Sequence, residues 1–399
     1  MRKQTHNNKR FIAYCALLVV STVAWSFALV ALPFQALDLP YGKQLLASAV
    51  LLGLVPRLLA PLLAPWLKNR LMGVNVSGAV AAMIAILQTS LHMEPALIQL
   101  AYVLLGINVV LDSTTSPLLV RAWFPQKERM RANALVGMIT LGIPIVAWPL
   151  AGFISSLLGS TAVLGFATVG FLVKAVVSFV AIPPRAFQIG RNRVSSDKKP
   201  SIFSYAPLLL IVLVALGWLG YLQVAVPAMV DRLPRPETVY GWYGGAFSLG
   251  MAAGAGTLFV AGNRIEPTRA LGLAGFLLPA AVLMYTIPSI GFLLAAGGMY
   301  GLGLGVVQTA GATYLQEVFP ESVLALVLTW VTSATAAASM VGAAVAGLIL
   351  EQHVRLAIWV AALQASAVVL WGFGRGNSFR VLGHDLKTRL SLWSSKERR

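Results

Sequence analysis

One cysteine, Cys15, stands in 399 residues. It can form no intramolecular disulfide and supports no cysteine-based metal site. The four histidines, His6, His92, His353 and His384, are scattered and gather no ligand set. No phosphate loop, HExxH zinc helix or nucleophile elbow occurs, so neither an ATP-driven motor nor an enzyme is expected, and no cofactor. The stretch GLGLG (301 to 305) imitates the start of a dinucleotide fingerprint, but no strand precedes it and it lies inside an apolar run. Charge is scarce as well. Only 11% of residues are charged against 58% hydrophobic, and just 13 are acidic. That balance excludes a soluble core and makes a bilayer the expected solvent.

Long apolar runs are what the chain has instead. Crossing about 30 Å of hydrocarbon takes about 20 residues. Twelve runs of that order lie near 11–33, 45–66, 71–91, 96–120, 133–158, 160–183, 204–230, 240–261, 268–288, 290–315, 323–350 and 355–374. The opening MRKQTHNNKR and the run after it superficially resemble a secretion signal. The run is too long and lacks a convincing small-residue cleavage site, so it reads as a retained first span.

The net charge of +17 follows the alternation of the loops. Of 30 Lys and Arg, 24 fall in the terminal and even-numbered connections; Lys43, Arg232, Arg235 and Arg355 fall opposite, and Arg57 and Lys174 fall within spans. Basic residues accumulate on the cytoplasmic side, so both termini are expected there, in a multi-pass protein of the plasma (inner) membrane. The positive charge is a topology signal, with attraction to anionic lipid secondary and nucleic acid not an expected partner.

The chain repeats itself. VALPFQALDLP (30 to 40) matches VAVPAMVDRLP (224 to 234) at an offset of 194, and the same offset lays Asn69-Arg70 on Asn263-Arg264. At an offset of 195, Phe124-Pro125 falls on Phe319-Pro320 and Ala151-Gly152 on Ala346-Gly347. Ordered matches at equivalent positions of two six-span halves indicate an internal duplication. The expected organisation is an all-α membrane protein of twelve transmembrane helices in two pseudo-symmetric bundles. The N-terminal bundle spans 1–183, a cytoplasmic linker 184–203, the C-terminal bundle 204–374, and a basic tail 375–399.

This layout resembles the major facilitator superfamily. The segment RAWFPQKERMRANAL (121 to 135) is similar to the cytoplasmic loop between spans four and five of that family. Ser116-Pro117, Glu128-Arg129 and Ala132-Asn133 look most like bacterial efflux members of the macrolide-exporter kind; anion symporters carry a similar Trp-Phe-Pro loop. Span five, GMITLGIPIVAWPLAG (137 to 152), resembles the exporters' Gly- and Pro-rich pattern through Gly137, Gly142, Pro144, Pro149 and Gly152, with Trp148 where a glycine is expected. Asn69-Arg70, and Asn263-Arg264 in the second half, stand where the family's loop after span two usually has Asp-Arg, so the latch carboxylate is missing. The resemblance implies that spans one, four, seven and ten line a central cavity and that the two bundles rock about it.

Asp112 is the residue that most needs a function. It lies nine residues inside Arg121, about 14 Å deep. Asn108, Asp112, Thr115 and Ser116 recur at i, i+4, i+7 and i+8, one polar helical stripe. A carboxylate there is either a transport residue, coupling protons that it loads and unloads or recognising a cation, or half of a buried ion pair. Arg57, at similar depth in span two, is its candidate partner in both readings. Lys174 lies equally deep in span six; the reading favoured is that it snorkels along the helix, with a third cavity charge as the alternative. Asp38 and Asp231 are solvated rim residues with a gating role as the alternative.

Uncharged substrate-binding candidates are Trp25, Ser26 and Gln35 in span one, Trp218, Tyr221 and Gln223 in span seven, and Tyr300 and Gln308 in span ten. For the tryptophans, packing is the alternative. Gly297, Gly301 and Gly305, with Gly250 and Gly254, are expected to make smooth helix seams. Residues 379–393 have the spacing of a cytoplasmic interfacial helix, with disorder as the alternative.

The expected function is secondary active transport: a proton-coupled exporter, or antiporter, of a small amphipathic or organic compound, acting as a monomer. The same-fold alternative is an importer or facilitator of a small organic anion, with Arg57 or Lys174 recognising its charge. An alternative of another class, a non-transporting receptor or assembly subunit, would be expected to carry a long extramembranous domain, and none is seen.

Overall fold

The computed structural model describes residues 2–62, 95–123, 126–181, 206–261, 267–318, 321–349 and 355–364. All of its regular elements are helices: α1 (Arg2–Leu37), α2 (Gly42–Leu58), α3 (Pro95–Trp123), α4 (Gln126–Leu158), α5 (Ser160–Ala181), α6 (Ala206–Val230), α7 (Pro236–Ala261), α8 (Pro267–Met284), α9 (Ile290–Val318), α10 (Glu321–Ile349) and α11 (Arg355–Gln364). The expected third span, with Asn69 and Arg70, lies outside the described residues. So do Asn263 and Arg264, the linker and the basic tail.

Six of these helices are long and apolar enough to cross a membrane. Their outer faces agree with that. Phe276, Leu348 and Trp359 are 70%, 84% and 74% exposed, far more apolar surface than a water-soluble protein leaves uncovered. The chain is a multi-pass membrane protein.

Prolines start α3, α7 and α8, where the ring fixes φ and the missing N–H has no intrahelical role. Others stand inside helices, at Pro33, Pro56, Pro144, Pro149, Pro227 and Pro279, which membrane-spanning helices tolerate.

The duplication recurs as repeated backbone geometry. Just past α1 the Leu39 N–H donates to the Ala36 carbonyl at 3.2 Å, and just past α6 the Leu233 N–H donates to the Val230 carbonyl at 2.8 Å, 194 residues on. The chain then turns through Tyr41 at φ 57° and Arg235 at φ 56°, both left-handed and separated by the sequence offset of 194. The amides of Leu45 and Val239 close the next turn on those residues' carbonyls. Left-handed backbone at a side-chain-bearing residue costs about 1–2 kcal/mol, so its recurrence at equivalent positions marks one turn used twice.

Packing follows the same symmetry. α2 packs on α3 as α7 packs on α9, and α1 on α4 as α6 on α10. Two further contacts join the halves: α4 lies along α7, and α10 along α2. Glycines make these approaches possible. Cβ atoms at Gly301 and Gly305 of α9 would overlap the carbonyls of Phe247 and Met251 of α7; at Gly250 and Gly254 they would overlap those of Gly298 and Leu302. The glycines expected to make smooth seams on spans eight and ten face one another where α7 packs on α9.

Trp148 has a similar explanation. Its ring covers Gly244 of α7, where a Cβ would overlap it, and its carbonyl lies 2.6 Å from where a Gly241 Cβ would stand. The glycine expected on span five has in effect moved across the seam to span eight. Pro149 packs on Gly245, and Gly152 packs against Gly241 and the carbonyl of Glu237, whereas a Cβ at Gly142 would meet open space. Pro144 is buried.

Candidate functional site

Asn108 stands 13 residues into α3, about 20 Å from its first residue by helix rise. It is 2% exposed. α5 packs along α1, with Gly170 against Ala24, and a turn further on Lys174 reaches across to α3. Its Nζ donates to Oδ1 of Asn108 at 2.9 Å. Lys174 is 4% exposed, and among the described residues it is the only charged side chain that is buried. The expectation that it snorkels is therefore corrected. At this height an ammonium is better served by a polar group on the facing helix than by stretching its stem toward water through apolar packing.

Asp112, Thr115 and Ser116 belong to α3 by backbone, on the turns that follow Asn108. Their side chains lie outside the described residues, so the pairing of Arg57 with Asp112 is not among the contacts seen. Arg57 itself is partly buried, one turn beyond Gly53. There α2 crosses α3 closely: a Cβ at Gly53 would lie 2.9 Å from the Tyr102 carbonyl, and one at Gly106 would overlap Gly53. The neighbouring Leu58 carbonyl accepts a 2.6 Å bond from Ser333 of α10, so Arg57 stands where the two halves meet.

The aromatic candidates of the second half are brought together, but as packed core. Trp218 stacks on Tyr221 with centroids 4.7 Å apart and meets Tyr285 edge-on at 6.3 Å. The Tyr243 and Tyr285 hydroxyls bond at 2.9 Å, and the Tyr300 hydroxyl donates to the Ala215 carbonyl. The cluster continues across the halves. Tyr240 stacks on Tyr243 and meets Trp148 and Phe34 edge-on. Here Trp218, Tyr221 and Tyr300 tie helices together, the packing alternative already open for Trp218.

The remaining candidates are dispersed. Trp25 is half-buried against the core, and Ser26 spends its hydroxyl on the Thr22 carbonyl at 2.8 Å. Gln35 is buried, with Oε1 lacking a hydrogen-bond partner among the described residues. Gln223 is half-buried and Gln308 exposed. At the rim, partial burial and the nearby Asp231 carboxylate hold Asp38 above the usual carboxylate range.

Sequence reasoning missed the Lys174–Asn108 contact. Its signal was available: a lysine in the middle of an apolar helix calls for the same question as Asp112. It also missed Gln364 of α11, which is buried and whose side-chain amide lies against the Tyr300 hydroxyl.

No family model matches the sequence, and no curated protein is similar to it. Solved structures do resemble the chain. A mutant of the peptide transporter POT in complex with sulfate is 12% identical, with TM-score 0.73 over 90% of this chain and 93% of that one. The same transporter without that substitution, also with sulfate, gives 13% and 0.70. The mutant in complex with alafosfalin gives 12% and 0.71. The likeness is one of fold: the chain is built on the major facilitator type of fold that these peptide transporters share.

Proposed function

We propose that this chain is a proton-coupled secondary transporter of a small organic solute, working by alternating access between two six-helix bundles. The observation that carries this reading is the buried polar site of α3 and α5. Lys174 and Asn108 meet at mid-height, on the helix whose polar stripe includes Asp112. Charge held inside a transporter fold is costly and marks a solute or proton path. The seams α4–α7 and α2–α10 are the surfaces on which the bundles would move. Both termini would lie in the cytoplasm, and the chain would act as a monomer with solute, protons and lipid as its partners.

For direction, the resemblance of the loop after α3 and of the glycines and prolines of α4 to exporters supports proton-coupled efflux of an amphipathic compound. A second reading, import of a small peptide-like or anionic solute, is favoured by the sulfate and alafosfalin complexes of the similar structures and by the buried cation at Lys174. Cells expressing the protein, loaded with ethidium or exposed to alafosfalin, separate the two. Efflux abolished by an uncoupler indicates an exporter; sensitisation to alafosfalin abolished by an uncoupler indicates an importer. Movement of either compound that ignores the uncoupler would refute proton coupling.

A further inference from the structure

Lys174 is the only charged residue of α5, and the Asn108 amide is one of its partners. A neutral amide occupies one of three ammonium donors and matches none of the charge. A buried cation is costly unless hydrogen bonds and a nearby counter-charge compensate it. Asp112 follows Asn108 by one turn of α3, the i, i+4 spacing that places two residues on one helix face. No other acidic residue lies between Glu94 and Glu128.

We propose that Lys174 is the counter-charge of Asp112: the two form a buried ion pair, positioned by Asn108, that opens when the carboxylate takes a proton. The inference rests on the transporter reading, in which Asp112 carries the coupling proton. It makes Lys174 a positioning residue for that proton, a role the sequence expectation gave to Arg57. The step is a simple protonation. A proton from water binds a carboxylate oxygen, the ammonium keeps its three, and the net charge of the site rises from zero to plus one. The titratable and charged groups on the membrane-spanning parts of the surrounding helices are Tyr14 and Cys15 of α1, Arg57 of α2, and Tyr102, Asp112 and Arg121 of α3; α4 brings none between 135 and 158.

The test needs no substrate. Unfolding of the full chain in detergent is followed at pH 5 and pH 8 for wild type, Lys174→Met, Lys174→Arg, Arg57→Met and the double variant Lys174→Met/Asp112→Asn. Removing the counter-charge leaves a buried carboxylate whose protonated form is favoured in the folded state. Lys174→Met should therefore be near wild type at pH 5 and lose stability as pH rises, about tenfold in the folding equilibrium for each unit by which that carboxyl is raised. Lys174→Arg should behave as wild type, and the double variant should regain stability at pH 8 with no such pH dependence.

An equal loss at both pH values, or a double variant as unstable as the single one, would make the lysine a packing element and overturn the proposal. The pH signature appearing in Arg57→Met instead would assign the pair to Arg57. Should Lys174→Met not fold at pH 8, its refolding on acidification to pH 5 and its rescue by Asp112→Asn report the same pair. Wild type that moves no protons in vesicles would end the transporter reading while leaving the ion pair standing.

Discussion

Substituting Gly244 by alanine adds one methyl group at the seam between α4 and α7, and the structure gives it no room. The new Cβ would overlap the Trp148 ring. That ring is rigid and meets Tyr240 edge-on with centroids 5.4 Å apart; Tyr240 in turn meets Phe34 of α1 at 5.7 Å. Relief has to come from moving α7 away from α4 or from displacing an aromatic chain that reaches the opposite half. Overpacking of this kind costs about 1–3 kcal/mol. If the clash with Trp148 is the cause, shrinking Trp148 should remove it. Thermal unfolding in detergent of Gly244→Ala, Trp148→Ala and the double variant forms a complete cycle. The double variant should be more stable than the sum of the single losses implies, by about 1 kcal/mol or more. Additive losses would show that the ring does not occupy the space over Gly244 and would undo the packing assigned to this seam.

Other expected outcomes are equally specific. Gly301→Val drives side-chain atoms into the Phe247 carbonyl of α7, so it should slow solute exchange in vesicles even where the protein still reaches the membrane. Tyr41→Gly and Arg235→Gly remove the left-handed strain and should be neutral or stabilising by up to about 1 kcal/mol in thermal unfolding, whereas Tyr41→Val should destabilise. Asp38 is held above its usual range, so its protonated form is the one the folded rim favours; the resulting stability is present in acid and lost as pH rises through the raised value. Its contribution to melting temperature should thus grow on acidification through that raised value, and Asp38→Asn should remove that dependence.

Much of the architecture was legible because a bilayer leaves a chain few options. Apolar length, loop charge and the 194-residue offset suffice for a helical, internally repeated membrane protein. The offset even locates the two left-handed turns, although nothing in Tyr41 or Arg235 announces positive φ. Glycine spacing marked α7 and α9 as helices with a face for close approach, since small residues at i and i+4 let backbones come together, but did not say that the two adjoin. Side-chain partnerships were harder. Trp148 appeared to break the span-five pattern until the glycines of α7 were seen opposite it. Lys174 was expected to snorkel because helix rise gives its depth but not which neighbour it faces. Trp218, Tyr221 and Tyr300 were assigned to a cavity by their chemistry; in the packed chain Trp218 stacks on Tyr221, and the Tyr300 hydroxyl is taken by the Ala215 carbonyl. Such relations depend on which helices adjoin, and periodicity within one helix does not contain that information.

The most direct measurement is proton movement by the purified protein in proteoliposomes under an imposed pH gradient, with alafosfalin and ethidium offered in turn, for wild type, Asp112→Asn and Lys174→Met. The expected result is solute-dependent proton flux in wild type, its loss in Asp112→Asn, and solute exchange without proton flux in that variant. Unchanged proton-coupled flux in Asp112→Asn would contradict the assignment of the α3–α5 site as the place where the proton is carried.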